Sequence, residues 1–207
     1  MKKIILSIIL STPFLLQAQF GVKGGLNFAK VSNASDINSD KKSGFHIGVL
    51  LAPPSKSLIS SRTELMFSRQ GYDYKTTNTG TVDLDYIQLG QLMSINLTKF
   101  FSLMFGAQTA YLVSASVDSS NATGSGSTEN QMMDLMNRID YGYAIGAEAH
   151  PFSGLIIGIR YNVSLAKIYK DVQSFQMPSF TAEDAKNNLI MISVGWRFGA
   201  GKKEDKK

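Results

Sequence analysis

The sequence predicts an all-β fold: eight antiparallel strands closed into an up-and-down barrel that crosses a membrane. Three observations carry that expectation. Segment 187–198 alternates large apolar residues (Ile190, Ile192, Val194, Trp196, Phe198) with a mixed set (Leu189, Met191, Ser193, Gly195, Arg197). That two-residue period makes a strand with one greasy face. The same period recurs along the chain in runs joined by alternately short and long connections, as in barrels with short periplasmic turns and longer outer loops. Finally, the chain opens on an export signal over 1–18: Lys2 and Lys3, an apolar run over 4–16, and Gln17-Ala18 at the expected cut. That run is too short for a helix that spans hydrocarbon, which needs about 20 residues.

The first strand covers 20–30, with Phe20, Val22, Leu26 and Phe28 on one face and Lys23, Gly25 and Asn27 on the other. The second, 44–52, sets Phe45, Ile47, Val49 and Leu51 against His46 and Gly48. In the third, 58–74, Leu65 and Phe67 oppose Arg62, Glu64 and Ser68. In the fourth, 82–97, Ile87, Leu89, Met93 and Ile95 oppose Gln88, Ser94 and Asn96. A tight connection at 98–100 leads to 101–113, which alternates Phe101, Leu103, Phe105 and Ala107 with Ser102, Gly106 and Gln108. The Ser/Gly/Asn-rich stretch 114–137 reads as a long loop. The sixth strand, 138–150, sets Tyr141, Tyr143, Ile145 and Ala147 against Asp140, Gly142, Gly146 and Glu148. The seventh, 155–168, sets Leu155, Ile157, Ile159, Tyr161 and Val163 against Gly158, Arg160, Asn162 and Ser164. A second long loop, 169–186, precedes the last strand. The chain thus divides into the signal 1–18, a barrel over 19–198 and a charged periplasmic tail over 199–207.

Which face meets lipid is decided by composition. An inverted, water-soluble barrel of the lipocalin type would have to enclose every Phe, Tyr, Leu and Ile row, leaving the glycine-rich rows in water. The apolar rows also end in aromatics (Phe20, Phe28, Phe101, Tyr111, Tyr141, Tyr161, Trp196, Phe198), as interfacial girdles do. The chain has no cysteine, which excludes disulfides, thiol catalysis and cysteine-based metal sites. Its formal charge of +5 falls by two without Lys2 and Lys3, and part of the rest lies in the tail. No basic groove interleaved with aromatics is present, so nucleic acid is not an expected partner.

Several strands resemble the PorT-like family of Bacteroidetes outer-membrane barrels, a porin-family group of eight-stranded proteins. The resemblance rests on Gly21-Val-Lys-Gly-Gly-Leu-Asn27, Gly44-Phe-His-Ile-Gly48, Glu64-Leu-Met-Phe-Ser-Arg-Gln-Gly71, Tyr86-Ile-Gln-Leu-Gly90, Arg160-Tyr161-Asn162 and Gly195-Trp-Arg-Phe198. It departs at Gly90, where the family pattern has proline, and in the nine residues after Phe198. It implies an outer-membrane location and, for a few members, service to the type IX secretion machinery.

Alternation assigns Lys23, Arg62, Glu64, Glu148, Arg160 and Arg197 to the lumen, with His46 and Asp140 nearer the outer mouth. Charges in a narrow barrel must pair, and an eight-stranded lumen is just wide enough for side chains to fill. The first expectation is therefore a rigidifying plug, the second a gated path or ligand pocket. A hydrolase would need a nucleophile, base and orienter in reach. His46 and His150 are the only histidines, and neither shows catalytic or metal-ligand spacing, so no catalytic, metal or cofactor residue is assigned. Trp196 and Phe198 are expected to act as the terminal insertion signal read by the outer-membrane assembly machinery.

Two loops could hold a protein partner. Met132, Leu135, Met136 and Ile139 fall at helical spacing, either as the early start of a strand at the barrel rim or as a short docking helix across the mouth. Phe175, Met177 and Phe180 form a second apolar patch. The leading expectation is a non-enzymatic outer-membrane anchor that interacts with lipid and with proteins. A small channel or ligand-binding barrel is the alternative, and a lipid-modifying enzyme is the third reading.

Overall fold

The computed structural model describes residues 19–32, 40–53, 57–75, 79–119, 133–170 and 184–199. Eight strands form where the alternation is strongest: β1 Gln19–Ser32, β2 Asp40–Ala52, β3 Ile59–Lys75, β4 Thr79–Asn96, β5 Phe101–Ser119, β6 Ile139–Ala149, β7 Leu155–Ser164 and β8 Lys186–Arg197. Each pairs antiparallel with the next, and β8 returns to β1 with Gly21 opposite Arg197, closing the barrel. Closure satisfies the backbone groups that an open sheet would strand in hydrocarbon.

Sidedness follows the alternation. Leu26, Ile47, Ile145, Ile159 and Val194 are each more than half exposed, while Lys23, Glu64, Glu148 and Arg160 are at most 4% exposed. An exterior of this kind fits hydrocarbon and rules out the inverted soluble barrel. Aromatic residues mark both rims. Phe20, Phe101, Trp196 and Phe198 lie outward at the periplasmic end, and Phe28, Phe45, Tyr111 and Tyr141 lie outward higher up. Phe198 stacks on Phe20 with ring centroids 5.9 Å apart, and its N–H donates to the Phe20 carbonyl at 2.8 Å.

Some bounds differ from the sequence reading. β7 stops at Ser164, and Ile168 turns inward instead of continuing the strand. β5 continues through Ser119, well into the stretch expected to be loop. The reason is a β-bulge: Tyr86 pairs with Leu112 but Asp85 pairs with Ser114, so Val113 is an extra residue. Beyond it the inward set changes from even to odd numbers, and a strand that switches parity in a serine-rich stretch loses its readable period.

β3, β4 and β5 have 17, 18 and 19 residues, against about 9–11 for a spanning strand. Their outer ends therefore rise past the membrane. There Tyr72, Tyr74, Val82, Leu84, Tyr86, Leu112 and Ala115 point inward and are buried, forming an apolar core that the sequence reading did not expect. Outside, Arg69 makes a two-pronged contact with Asp85 (2.7 Å each) and Lys42 reaches Asp83 at 2.6 Å. A smaller apolar cluster, Leu50, Ala52 and Ile156, lies toward the periplasmic end.

The β6–β7 turn depends on one glycine. Gly154 has φ +95°, and a Cβ there would lie 3.1 Å from the Trp196 ring and 2.9 Å from the Arg197 carbonyl. Glycine alone supplies both the conformation and the space.

Candidate functional site

Three strands carry cations and two carry carboxylates into one layer of the lumen, because Lys23 (β1), Arg62 and Glu64 (β3), Glu148 (β6) and Arg160 (β7) all fall on inward positions. Arg62 grips Glu148 through both terminal nitrogens, at 2.6 and 2.7 Å. Its Nε lies 2.9 Å from Glu64 Oε1, too far off line for a hydrogen bond. Arg160 donates to Glu64 Oε2 at 2.6 Å. Lys23 Nζ lies between the two carboxylates, 3.4 Å from Glu64 and 3.3 Å from Glu148. Glycine makes the room: a Cβ at Gly158 would sit 3.0 Å from Glu148 Cγ. Five of the six residues expected in the lumen network thus meet in one cluster. Arg197 does not join them; it is half-buried at the periplasmic end, with no ion pair among the described residues.

His46 lies on the outer side of the charge cluster, as expected, though only just above it, where it pairs across from Gly25 and Ser68. Asn27 Nδ2 donates to Ser68 Oγ (2.8 Å) and the Phe45 carbonyl (2.9 Å), which turns its oxygen to accept from His46 Nδ1 at 2.7 Å. His46 Nε2, Gln88 Oε1 and Asn162 Oδ1 are buried without a protein partner. Buried polar groups require partners, so this layer is a place for ordered water. Asp140 does lie toward the outer end, where it accepts a hydrogen bond from Ser164 Oγ.

At the periplasmic mouth Ser102 Oγ is 3.2 Å from His150 Nε2. Glu148 Oε2 approaches the same nitrogen at 3.8 Å, and Nδ1 has no partner. A hydrolytic triad needs the hydroxyl and the carboxylate on opposite ring nitrogens, so this arrangement does not orient a base. Burial holds the imidazole below its ordinary pKa; Glu148 opposes that, and Arg197 and Arg62 add to it.

At the outer mouth, the proposed partner residues divide. Met136 is fully buried: it bridges to Tyr169 and packs in the outer apolar core with Met133, so it offers nothing to a partner. The cause is local. Residues 133–135 form one helical turn, and the bridge then points Met136 into the barrel. Leu135 is half-buried, and its carbonyl accepts from Lys170 N at 3.0 Å. The Asn137 amide donates to the Lys167 and Tyr169 carbonyls, and Tyr169 and Tyr72 share a hydrogen bond. Met132, Phe175 and Phe180 lie outside the described residues.

A closed eight-stranded barrel with an apolar exterior, aromatic rims and a paired charged interior is an integral outer-membrane β-barrel protein. The chain belongs to the outer membrane protein beta-barrel domain family, whose model matches residues 11–170. The fold is similar to that of Neisserial surface protein A (TM-score 0.55, 18% identity, covering 86% of this chain and 97% of that one). It is also similar to Ail of Yersinia pestis in complex with the heparin analogue sucrose octasulfate (TM-score 0.51, 14% identity, 88% and 99%). At these identities the likeness concerns the fold. No curated protein matches the chain.

Proposed function

We propose that this chain is a non-enzymatic outer-membrane anchor, exported through 1–18 and presenting its outer loops or periplasmic face to other proteins. The carrying observation is the filled lumen: a cluster of five interlocked charges lies between an apolar layer below and an apolar core above. Side chains that hold one another in place support an anchor better than a conduit. Service to a secretion system, as in the PorT-like barrels it resembles, is the more particular form of this reading. Trp196 and Phe198, on the periplasmic rim, fit a terminal insertion signal, with 199–207 beyond it in the periplasm.

Planar-bilayer recordings test the anchor against the channel. The purified barrel should give no steady unitary current; currents that vanish in Arg160→Ala would make it a channel instead. Mass spectrometry of lipid A from cells with and without the gene tests the enzyme reading, and an unchanged profile is expected. Cross-linking in native membranes should capture secretion components if the accessory role holds, and their absence would remove that role. N-terminal sequencing of the membrane form should begin at Gln19, and Phe198→Asp should remain unfolded in the periplasm.

A further inference from the structure

The lower lumen is richer in cations than in anions. Among the described residues, Lys23, Arg62, Arg160 and Arg197 face only Glu64 and Glu148 there, since Asp140 is engaged with Ser164 toward the other end. The first three cations share two carboxylates and keep one positive charge over, and Arg197 at the periplasmic mouth adds a second with no carboxylate of its own. A charge removed from water is tolerated when it is paired, and Arg197 has no ion partner among the described residues.

The same mouth has unused hydrogen-bonding capacity. Arg197 Nε and His150 Nδ1 are buried without partners. Ser102 Oγ and His150 Nε2 share a hydrogen bond whose direction follows the ring tautomer, and Nδ1 is a donor in the tautomer in which Ser102 donates and in the protonated ring. The backbone fixes both residues: Arg197 N donates to the Gly154 carbonyl at 2.7 Å and His150 N to the Phe100 carbonyl at 2.8 Å. Neither side chain is sealed off, since Arg197 is half-buried and the His150 side chain is 18% exposed.

We propose that the periplasmic mouth of the barrel is a binding site for a small oxyanion, a phosphate or carboxylate group, held by the Arg197 guanidinium and the His150 imidazole with Arg62 behind them. The planar guanidinium fork matches either group. Occupancy would give Arg197 Nε an acceptor, and His150 Nδ1 one when the ring is protonated there, and would offset part of the surplus positive charge. It would also make the neighbouring imidazole easier to protonate, because an anion beside His150 counters the fields of Arg197 and Arg62. The site does not depend on whether the barrel anchors a partner, because it arises from the lumen's own charge count.

The two histidines make the test simple. Inorganic phosphate is titrated into the full-length folded barrel in zwitterionic detergent, at constant ionic strength against chloride, while NMR follows both imidazoles. A saturable shift at His150, with His46 unmoved, is expected. Arg197→Gln should weaken the apparent affinity at least tenfold. Arg197→Lys, which keeps the charge but loses the fork, should weaken it several-fold and serves if the glutamine variant does not fold. A non-saturating shift, equal shifts at both histidines, or a response unaltered by either variant would overturn the site and leave water as its occupant. A chain ending at Gly199 identifies the source of the oxyanion. Tighter phosphate binding would mean that Glu204 or Asp205 of the tail competes for the site, and unchanged binding that the site serves an external ligand.

Discussion

In the lower part of β3, Leu65 and Phe67 face outward while Arg62 and Glu64 are buried; in its upper part Asp73 faces outward while Tyr72 and Tyr74 are buried. β4 reverses in the same way, from Leu89 outside and Gln88 inside to Asp83 and Asp85 outside and Val82 and Leu84 inside. One barrel therefore contains two solvent regimes. Below the outer rim, burial is enforced by pairing charges out of lipid; above it, by removing apolar surface from water. The lower region gains its order from directional contacts that fail when one member is removed. The upper region gains it from packing, which degrades by degrees.

Changes in the two regions should therefore differ in kind, and the largest effect should come from an acid in the lower lumen. Glu64→Gln removes the ion partner of Arg160 and one partner each of Lys23 and Arg62, where cations are already in excess. Breaking a buried pair costs about 3–5 kcal/mol. Urea unfolding in lipid vesicles should show that loss, and adding Arg160→Ala should recover part of it. Arg160→Ala alone should cost less than Glu64→Gln, because Glu64 keeps Lys23 and Arg62; the opposite order would refute the excess of cations.

In the upper region Leu84→Ala should cost about 2–5 kcal/mol, the range for a fully buried leucine that leaves a cavity. Ile159→Arg, on the lipid face, should cost about 2–4 kcal/mol near the midplane. Spin labels at 159 and 160 sharpen the point: a lipid-soluble relaxation agent should reach 159 and not 160, and the reverse pattern would invert the faces. The smallest effect should be at Arg69→Ala, which breaks the exposed pair with Asp85. It should cost about 0.2–1 kcal/mol, and the cost should shrink in high salt.

The lower region was legible in the sequence because its polarity contrast is extreme. Charged residues at every second position between aliphatic ones, as in Arg62-Thr-Glu64-Leu or Gly158-Ile-Arg160-Tyr, leave one assignment of faces. The partners within the lumen were not legible, since which cation reaches which carboxylate depends on strand order and tilt around the ring. Arg197 shows this: it shares the parity of the cluster yet sits a layer too low to join it. The upper region is less legible for a different reason. Tyr72, Tyr74 and Leu84 follow the same parity as Glu64 and Leu92, but apolar side chains on the inward row lack the polarity contrast that marks the faces lower down. The spacing around Met136 allows either an early strand at the rim or a docking helix, and what decides its position is a bridge to Tyr169, far along the chain.

The extra residue at Val113 gives β5 a place where its length can change. Deleting a residue elsewhere in the strand exchanges the inner and outer sets from that point on. Deleting Val113 leaves Leu112 inside, Ser114 outside and Ala115 inside, with Tyr86 and Asp85 facing consecutive residues. That deletion should still yield a heat-modifiable folded band, whereas deleting Thr109 should abolish it. Insertions and deletions arising in such a chain would then accumulate at the level where the barrel leaves the membrane, letting the outer part of the sheet vary in height while the buried part keeps its register.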